Sequence, residues 1–345
     1  MIRHYQGTGQ ASAGNCMKEI DIRDIRQLRI GQVENREAGT GCTVFICPEG
    51  MRAGLDVRGG GPASRETALL DPLAAPRMIH AIVLAGGSAF GLCAASGVMA
   101  YLEEHDIGYD VGVTKVPLVI QSDLFDLTVG DAFVRPDPAM GYEAAKTAME
   151  APNYKDGNFG AGCGATVGKL RGMDRCVKTG IGSYAVQLGE LQIGAVVTVN
   201  SLGDVFDWKN GKCIAGLLNE EKTGFASSPS EHEKGFLAIN NPFAENTTLA
   251  VVVTNADFDK TALCKIAGMG HDGYARSIRP VHTSYDGDSI YAVSVGDIKA
   301  DQEVVGSLAA EVISEAIIRA VDSAESAYGI PSANEFKEKV RRTSS

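Results

Sequence analysis

Two runs restrict the fold of this chain more than any other feature: IHAIVLAGG (Ile79–Gly87) and TTLAVVVTN (Thr247–Asn255). Each is an almost unbroken series of apolar or β-branched residues. Each falls well short of the ~20 apolar residues of a membrane helix. The first, ending in glycines, reads as a strand buried inside a sheet. The second reads as a strand whose β-branched residues suit a pleated, half-buried surface. Such strands need cover, and the sequence supplies it. GLCAASGVMAYLEEHDIG (Gly91–Gly108), DPAMGYEAAKTAMEA (Asp137–Ala151) and the stretch from about Asp259 to Ile278 read as helices. So does Asp301–Ser326, whose Val304/Val305, Leu308/Ala309, Val312/Ile313, Ala316/Ile317 and Ala320/Val321 recur at helical spacing. CTVFIC and AGLDVR read as separate short strands among Gly-rich turns, GELQIGAVVTVNSLGDVFDW as two strands around Asn200, and SIYAVSVG as another. Strands and helices alternate with no internal repeat and no compositional break. The predicted class is α/β in layers, helices over a sheet core, in one domain.

Charge and cysteine usage exclude several functions. A net charge of −11 over 345 residues argues against a nucleic-acid partner. The basic cluster KEKVRR (Lys337–Arg342) reads as a solvated tail, and 331–345 is expected to be flexible. Eight scattered cysteines without a C-x-x-C suggest neither a zinc site nor a disulfide framework. With no signal peptide or membrane span in the sequence, the expectation is a reduced, cytoplasmic protein.

Several motifs invite a chemical reading. GGSAFG (Gly86–Gly91) could offer backbone N–H groups to a phosphate, but it lacks the G-x-G-x-x-G spacing and reads as a tight turn. GCGATVGKL ends like a phosphate loop, yet Leu170 stands where Ser or Thr is required. GHDG (Gly270–Gly273) reads as a turn rather than a metal site. DGD (Asp286–Asp288) is either a hairpin turn or a pair of carboxylates facing one site, since residues i and i+2 of an extended chain share a face. The polar, aperiodic stretch from Leu218 to Asn246 is too long for a plain connection. It runs directly into Asn246-Thr247-Thr248. The triplet could be a simple strand start, or an N-x-T sequon with Asn246 as the glycosylation acceptor. Its first threonine could also be a nucleophile: breaking the bond before Thr247 would free an α-amine, of pKa about 7.7–8.0, to act as base for that residue's own hydroxyl.

Taken together, TGCTVFICPEGMRAGLDVRGGGPASRETALLDP, LAGGSAFGLCAASGV, AGCGATVGK, ENTTLAVVVTN and PVHTSYDGDSIYAV resemble the L-aminopeptidase/D-esterase family, and within it the nylon-oligomer hydrolases. The resemblance runs in order from about Leu28 to Ser326. It implies a four-layer αββα sandwich of the aminopeptidase/ornithine acetyltransferase type, spanning 1–330. It also implies self-cleavage between Asn246 and Thr247 into an α chain (1–246) and a β chain (247–345) that stay associated. By the same resemblance Thr247 is the nucleophile, Asn200 the oxyanion donor, Lys169 the catalytic lysine, and Asp286 and Asp288 the groups holding the ammonium and hydroxyl of Thr247. Lys169 would either add positive charge near the oxyanion or depress the proton affinity of the Thr247 amine. Where that branch carries a tyrosine beside the nucleophile, DLFDL has Phe125, which with Ser88 is a candidate for the substrate pocket.

The resemblance implies hydrolysis of short peptides, amino-acid amides or nylon-type oligoamides, without metal or cofactor, by a homo-oligomer of cut units. Two other readings use the same scaffold: an acyl transferase like the ornithine acetyltransferases, and a non-catalytic small-molecule binder.

Overall fold

The computed structural model describes residues 17–226 and 246–336. Its centre is a set of ten strands: β1 (Lys18–Ile20), β2 (Arg29–Asn35), β3 (Thr40–Val57), β4 (Ala63–Arg65), β5 (Ile79–Ala85), β6 (Val119–Asp123), β7 (Ile181–Leu188), β8 (Leu191–Asn200), β9 (Thr247–Ala256) and β10 (Ser289–Ile298). The strands run β1-β7-β8-β9-β10-β3-β5-β6-β4, with β2 also paired to β3. All neighbours are antiparallel except β9 with β10 and β5 with β6.

The long strand β3 turns one sheet into two layers. Its first part, Thr40–Ile46, pairs with β2, and Cys42–Ile46 pairs with β5 on the other side. Its last part, Arg52–Val57, pairs with β10. The register breaks between Ile46 and Met51, where Gly50 adopts φ +85°. CTVFIC and AGLDVR are therefore one continuous strand rather than the expected two. Both ends are rich in residues that fit a pleated surface, and the Pro48-Glu49-Gly50 break bends the ladder without ending it.

Three apolar clusters define the layers. Phe45, Ile82, Leu84 and Ile120 face Val196, Leu249, Val251 and Val293 between the sheets. On the outer face of the first sheet, Val197, Ala250, Val252 and Ile290 meet helices α3 (Lys260–Ser277) and α4 (Gln302–Asp322). On the outer face of the second, Val44, Ala81 and Val83 meet α1 (Ala94–Glu104) and α2 (Pro138–Glu150). The result is an αββα sandwich. A strand covered on both faces cannot alternate polar and apolar residues, which is why β5 and β9 read as continuous runs.

Three helices begin on an aspartate whose carboxylate accepts from the first turn: Asp137 from Met140, Asp259 from Ala262, Asp301 from Glu303 and Val304. The small residues of α1 serve packing inside the chain. A Cβ on Gly97 would lie 1.7 Å from the Pro138 carbonyl oxygen, so α1 and α2 touch backbone to backbone.

Two expectations are corrected. GHDG is not a turn: Gly270–Gly273 lies inside α3, where a Cβ on Gly273 would meet the Ala310 carbonyl of α4 at 2.6 Å. Those glycines give close helix contact rather than a chain reversal. Nor is all of 331–345 a loose tail, since Ala333 and Phe336 are buried in the core beside α4. KEKVRR and residues 227–245 of the polar loop lie outside the described residues. Among the described residues no helix is long and apolar enough to cross a membrane.

Candidate active site

Thr247 opens β9, buried with 4% of its surface exposed. Its Oγ donates to the carbonyl oxygen of Asn246 at 2.6 Å. That same oxygen accepts the backbone N–H of Gly287 at 2.7 Å, and Asn246 N–H donates to the Tyr285 carbonyl at 2.9 Å. The peptide bond before Thr247 is thus held on the Tyr285–Gly287 segment like a short strand. Gly287 has to be glycine: a Cβ there would stand 2.6 Å from Thr247 Oγ.

Across the antiparallel ladder Asn200 is the register partner of Thr247, which puts the two side chains about 5 Å apart at Cβ. Asn200 ends β8 and is fully buried. Its Oδ1 accepts from Thr166 N–H at 3.1 Å and from Lys169 Nζ at 2.7 Å, while its Nδ2 donates to the Phe125 carbonyl at 2.9 Å. Two donors on one side and an acceptor on the other fix which way the amide points. The second N–H of Nδ2 has no partner among the described residues.

Lys169 arrives on the segment Thr166–Lys169, whose backbone bonds to Leu202 and Gly203 just beyond Asn200. Burial lowers its proton affinity to about pKa 7, opposed by nearby groups including Asp286. GCGATVGKL is thus a loop that wraps the end of β8.

Asp286 and Asp288 immediately precede β10, and both are 1% exposed. In the uncut chain each carboxylate bonds to residues around Thr247 rather than to Thr247 itself. Asp286 Oδ2 accepts from Thr283 N–H and Oγ, both at 2.7 Å, while its Oδ1 has no partner among the described residues. Burial, and next the charge of Asp288, raises its pKa to about 6. Asp288 Oδ1 accepts from Thr248 N–H at 2.8 Å, so it secures the residue after Thr247. Its Oδ2 takes His282 N–H at 3.0 Å and lies 2.9 Å from His282 Nδ1. Thr247 has only a peptide N–H here, so there is no ammonium for either carboxylate to bind.

Phe125 and Ser88, the pocket candidates, are half-buried on neighbouring turns, with Ser88 N–H donating to the Leu124 carbonyl at 2.9 Å. Asp126 ties these turns together, accepting from Gly87 N–H and Thr40 Oγ, both at 2.7 Å.

Three contributors escaped the sequence reading. His282 sits in PVHTSYDGD, six residues before Asp288. Gly287 lies between the two aspartates that drew attention. Gly59 follows β3 and presses on the same turn: a Cβ there would lie 2.2 Å from the Asp286 carbonyl oxygen and 2.3 Å from Asp288 N. The string RGGG after AGLDVR was the available signal for that approach.

The sequence profile of peptidase family S58 matches residues 21–334. An uncharacterised aminopeptidase of Mycobacterium leprae is 38% identical, the match covering 90% of this chain and 92% of that one. The 6-aminohexanoate-oligomer endohydrolase of an Agromyces species is 31% identical, with coverages of 90% and 87%. Among solved structures, the L-aminopeptidase D-Ala-esterase/amidase of Ochrobactrum anthropi, described as a variant of the Ntn-hydrolase fold, superposes with a TM-score of 0.67. That match covers 94% of both chains at 15% identity.

Proposed function

The chain belongs to peptidase family S58 and is an amide hydrolase, and we propose that its nucleophile is Thr247, freed when the chain cuts itself between Asn246 and Thr247. One observation carries this reading. Thr247 Oγ already lies on the carbonyl group it would attack, and that carbonyl also accepts the Gly287 N–H.

In the self-cleavage, Oγ attacks the Asn246 carbonyl carbon and gives up its proton. The Gly287 N–H steadies the oxyanion, and the C–N bond breaks with the proton going to the leaving Thr247 nitrogen. Water then opens the resulting ester, leaving a carboxylate on Asn246 and restoring the Thr247 hydroxyl. In the cut enzyme the Thr247 amine takes the Oγ proton as Oγ attacks a substrate amide, and the amine later protonates the leaving group. The second N–H of Asn200, facing Thr247 across the ladder, is the oxyanion donor for this reaction. A donor of this kind is commonly worth roughly 3–4 kcal/mol. Lys169 fixes the direction of the Asn200 amide through Oδ1. Asp286, with an oxygen to spare, receives the new Thr247 ammonium, and Asp288 keeps Thr248 in place. Ser88 and Phe125 line the substrate side.

The names of the relatives support short peptides, amino-acid amides or oligoamides as substrates. Hydrolysis rather than acyl transfer follows from the family. The reading extends to a cytoplasmic enzyme built as a homo-oligomer of cut units. Intact mass under denaturing conditions, with N-terminal sequencing, tests it. Two chains are expected in place of 36.3 kDa, the smaller beginning Thr247-Thr248-Leu249. A chain that stays whole, or is cut elsewhere, overturns the assignment of Thr247.

A further inference from the structure

We infer that His282 is a positioning residue of this site: its ring and its backbone together hold the Asp288 carboxylate where that carboxylate anchors the residue following the nucleophile. The inference rests on Thr247 being the nucleophile. It begins with a gap in the sheet. Pairing of β9 with β10 starts at Leu249–Ser289, so Thr248 N–H has no strand to bond on that side. Asp288 Oδ1 takes its place at 2.8 Å. The position of Thr248, and with it of Thr247 Oγ, therefore depends on where one buried carboxylate sits.

The other oxygen of that carboxylate is held by a single residue twice over. His282 brings its own N–H to 3.0 Å and its Nδ1 to 2.9 Å of Oδ2. Facing a carboxylate, Nδ1 carries the proton, and the bond is charge-assisted. This double grip is made from a left-handed backbone: His282 has φ +59°, a conformation that non-glycine residues seldom adopt. Behind it the ring is walled in by α3. His271 lies edge-on with centroids 4.7 Å apart, and Tyr274 is at 6.0 Å. Both are fully buried, and His271 Nε2 is itself 3.1 Å from the Asp56 carbonyl. The imidazole has little room to turn, so it transmits the rigidity of the helix layer to Asp288.

Bulk and bonding can be separated because glycine and asparagine both accept a left-handed backbone. His282→Asn keeps an N–H donor close to where Nδ1 stands, whereas His282→Gly removes it. Wild type and both variants are made by cell-free synthesis and chased, with the rate of fragment formation read by intact mass. Cleavage of the Asn variant is expected within about threefold of wild type. The Gly variant is expected to be slower by roughly 10- to 100-fold, the worth of one charge-assisted hydrogen bond. Thermal unfolding of the same proteins in a Thr247→Ala background, where none is cut, shows whether a variant merely loosens the fold. Similar Tm values with unequal rates support positioning. Equal rates for Gly and Asn overturn it and leave Thr247 standing. An Asn variant as slow and as unstable as the Gly variant overturns it too, as a purely structural role. A wild type giving no fragment that begins at Thr247 overturns the nucleophile and this inference together.

Discussion

Gly287 and Thr247 are in contact across the turn that precedes β10, so close that the glycine has no room for a methyl group. Gly287→Ala would set a carbon 2.6 Å from Thr247 Oγ, and the hydroxyl must then leave the carbonyl it faces. Displacements of about 1 Å in a reacting atom cost roughly 100-fold. Self-cleavage of Gly287→Ala is expected to slow by at least that factor, as followed by denaturing gel over time. Cleavage at the wild-type rate would remove the contact from the mechanism.

Lys169→Met should separate orientation from binding. The lysine donates to Asn200 Oδ1, and without it the amide is held by Thr166 and Phe125 alone. Because an oxyanion donor acts mainly in the transition state, kcat is expected to fall by roughly tenfold or more with KM little changed. A rise in KM at constant kcat would instead make Lys169 a substrate-binding group.

Gly59→Ala tests a residue far from Thr247 in sequence. Its new methyl group would collide with the Asp286 carbonyl oxygen and with Asp288 N, pushing the whole turn out of place. A loss of about 1–3 kcal/mol in stability is expected from overpacking, together with slower cleavage. Denaturant unfolding in a Thr247→Ala background measures the first and fragment yield the second.

Stability should depend on pH through the buried lysines. Lys169 and Lys178 are both buried, and burial lowers each to about pKa 7. Between that value and the usual ~10.4 of an unfolded lysine, the unfolded chain binds more protons than the folded one. Stability therefore rises with pH across this window, by up to ~1.4 kcal/mol per pH unit for each lysine. Asp286 and Asp126, raised to about 6 by burial, act with the opposite slope between about pH 4 and 6, where the folded chain binds more protons. These four groups place their combined minimum between about pH 6 and 7. Tm is expected to rise from pH 7 to 9 and to rise less in Lys178→Met; an unchanged rise would mean that Lys178 does not titrate in this range.

The architecture was legible because burial on two faces leaves a mark that one strand can carry alone. β5, β9 and α4 were readable as runs or stripes within single elements. The continuity of β3 was not, because Pro48 and Gly50 look like an end and only the pairing partners show that the ladder resumes. The site divides in the same way. Thr247, Asn200 and Lys169 stand in stretches whose resemblance to a family is local. His282 and Gly59 matter through contacts made only after folding, with no periodicity to announce them. The direction in which Asp288 points was invisible for the same reason: its partners are the N–H of Thr248 and both the N–H and the ring of His282, six residues earlier, not the neighbours that spacing suggested.

The placement of β9 and β10 between β8 and β3 bears on how the molecule ages. A cut before Thr247 would give the two central strands to one polypeptide and the strands on either side to another. While the chain is whole, its loop tethers β9 to β8 and refolding is a first-order event. After the cut, unfolding would release two separate molecules, and regaining the sheet would require a bimolecular insertion into its middle. The mature protein would then persist because it unfolds slowly, not because it can re-form, with a structure that only the uncut chain knows how to build. Heating and cooling should restore Thr247→Ala but not the cut form, and dilution should worsen recovery of the cut form alone.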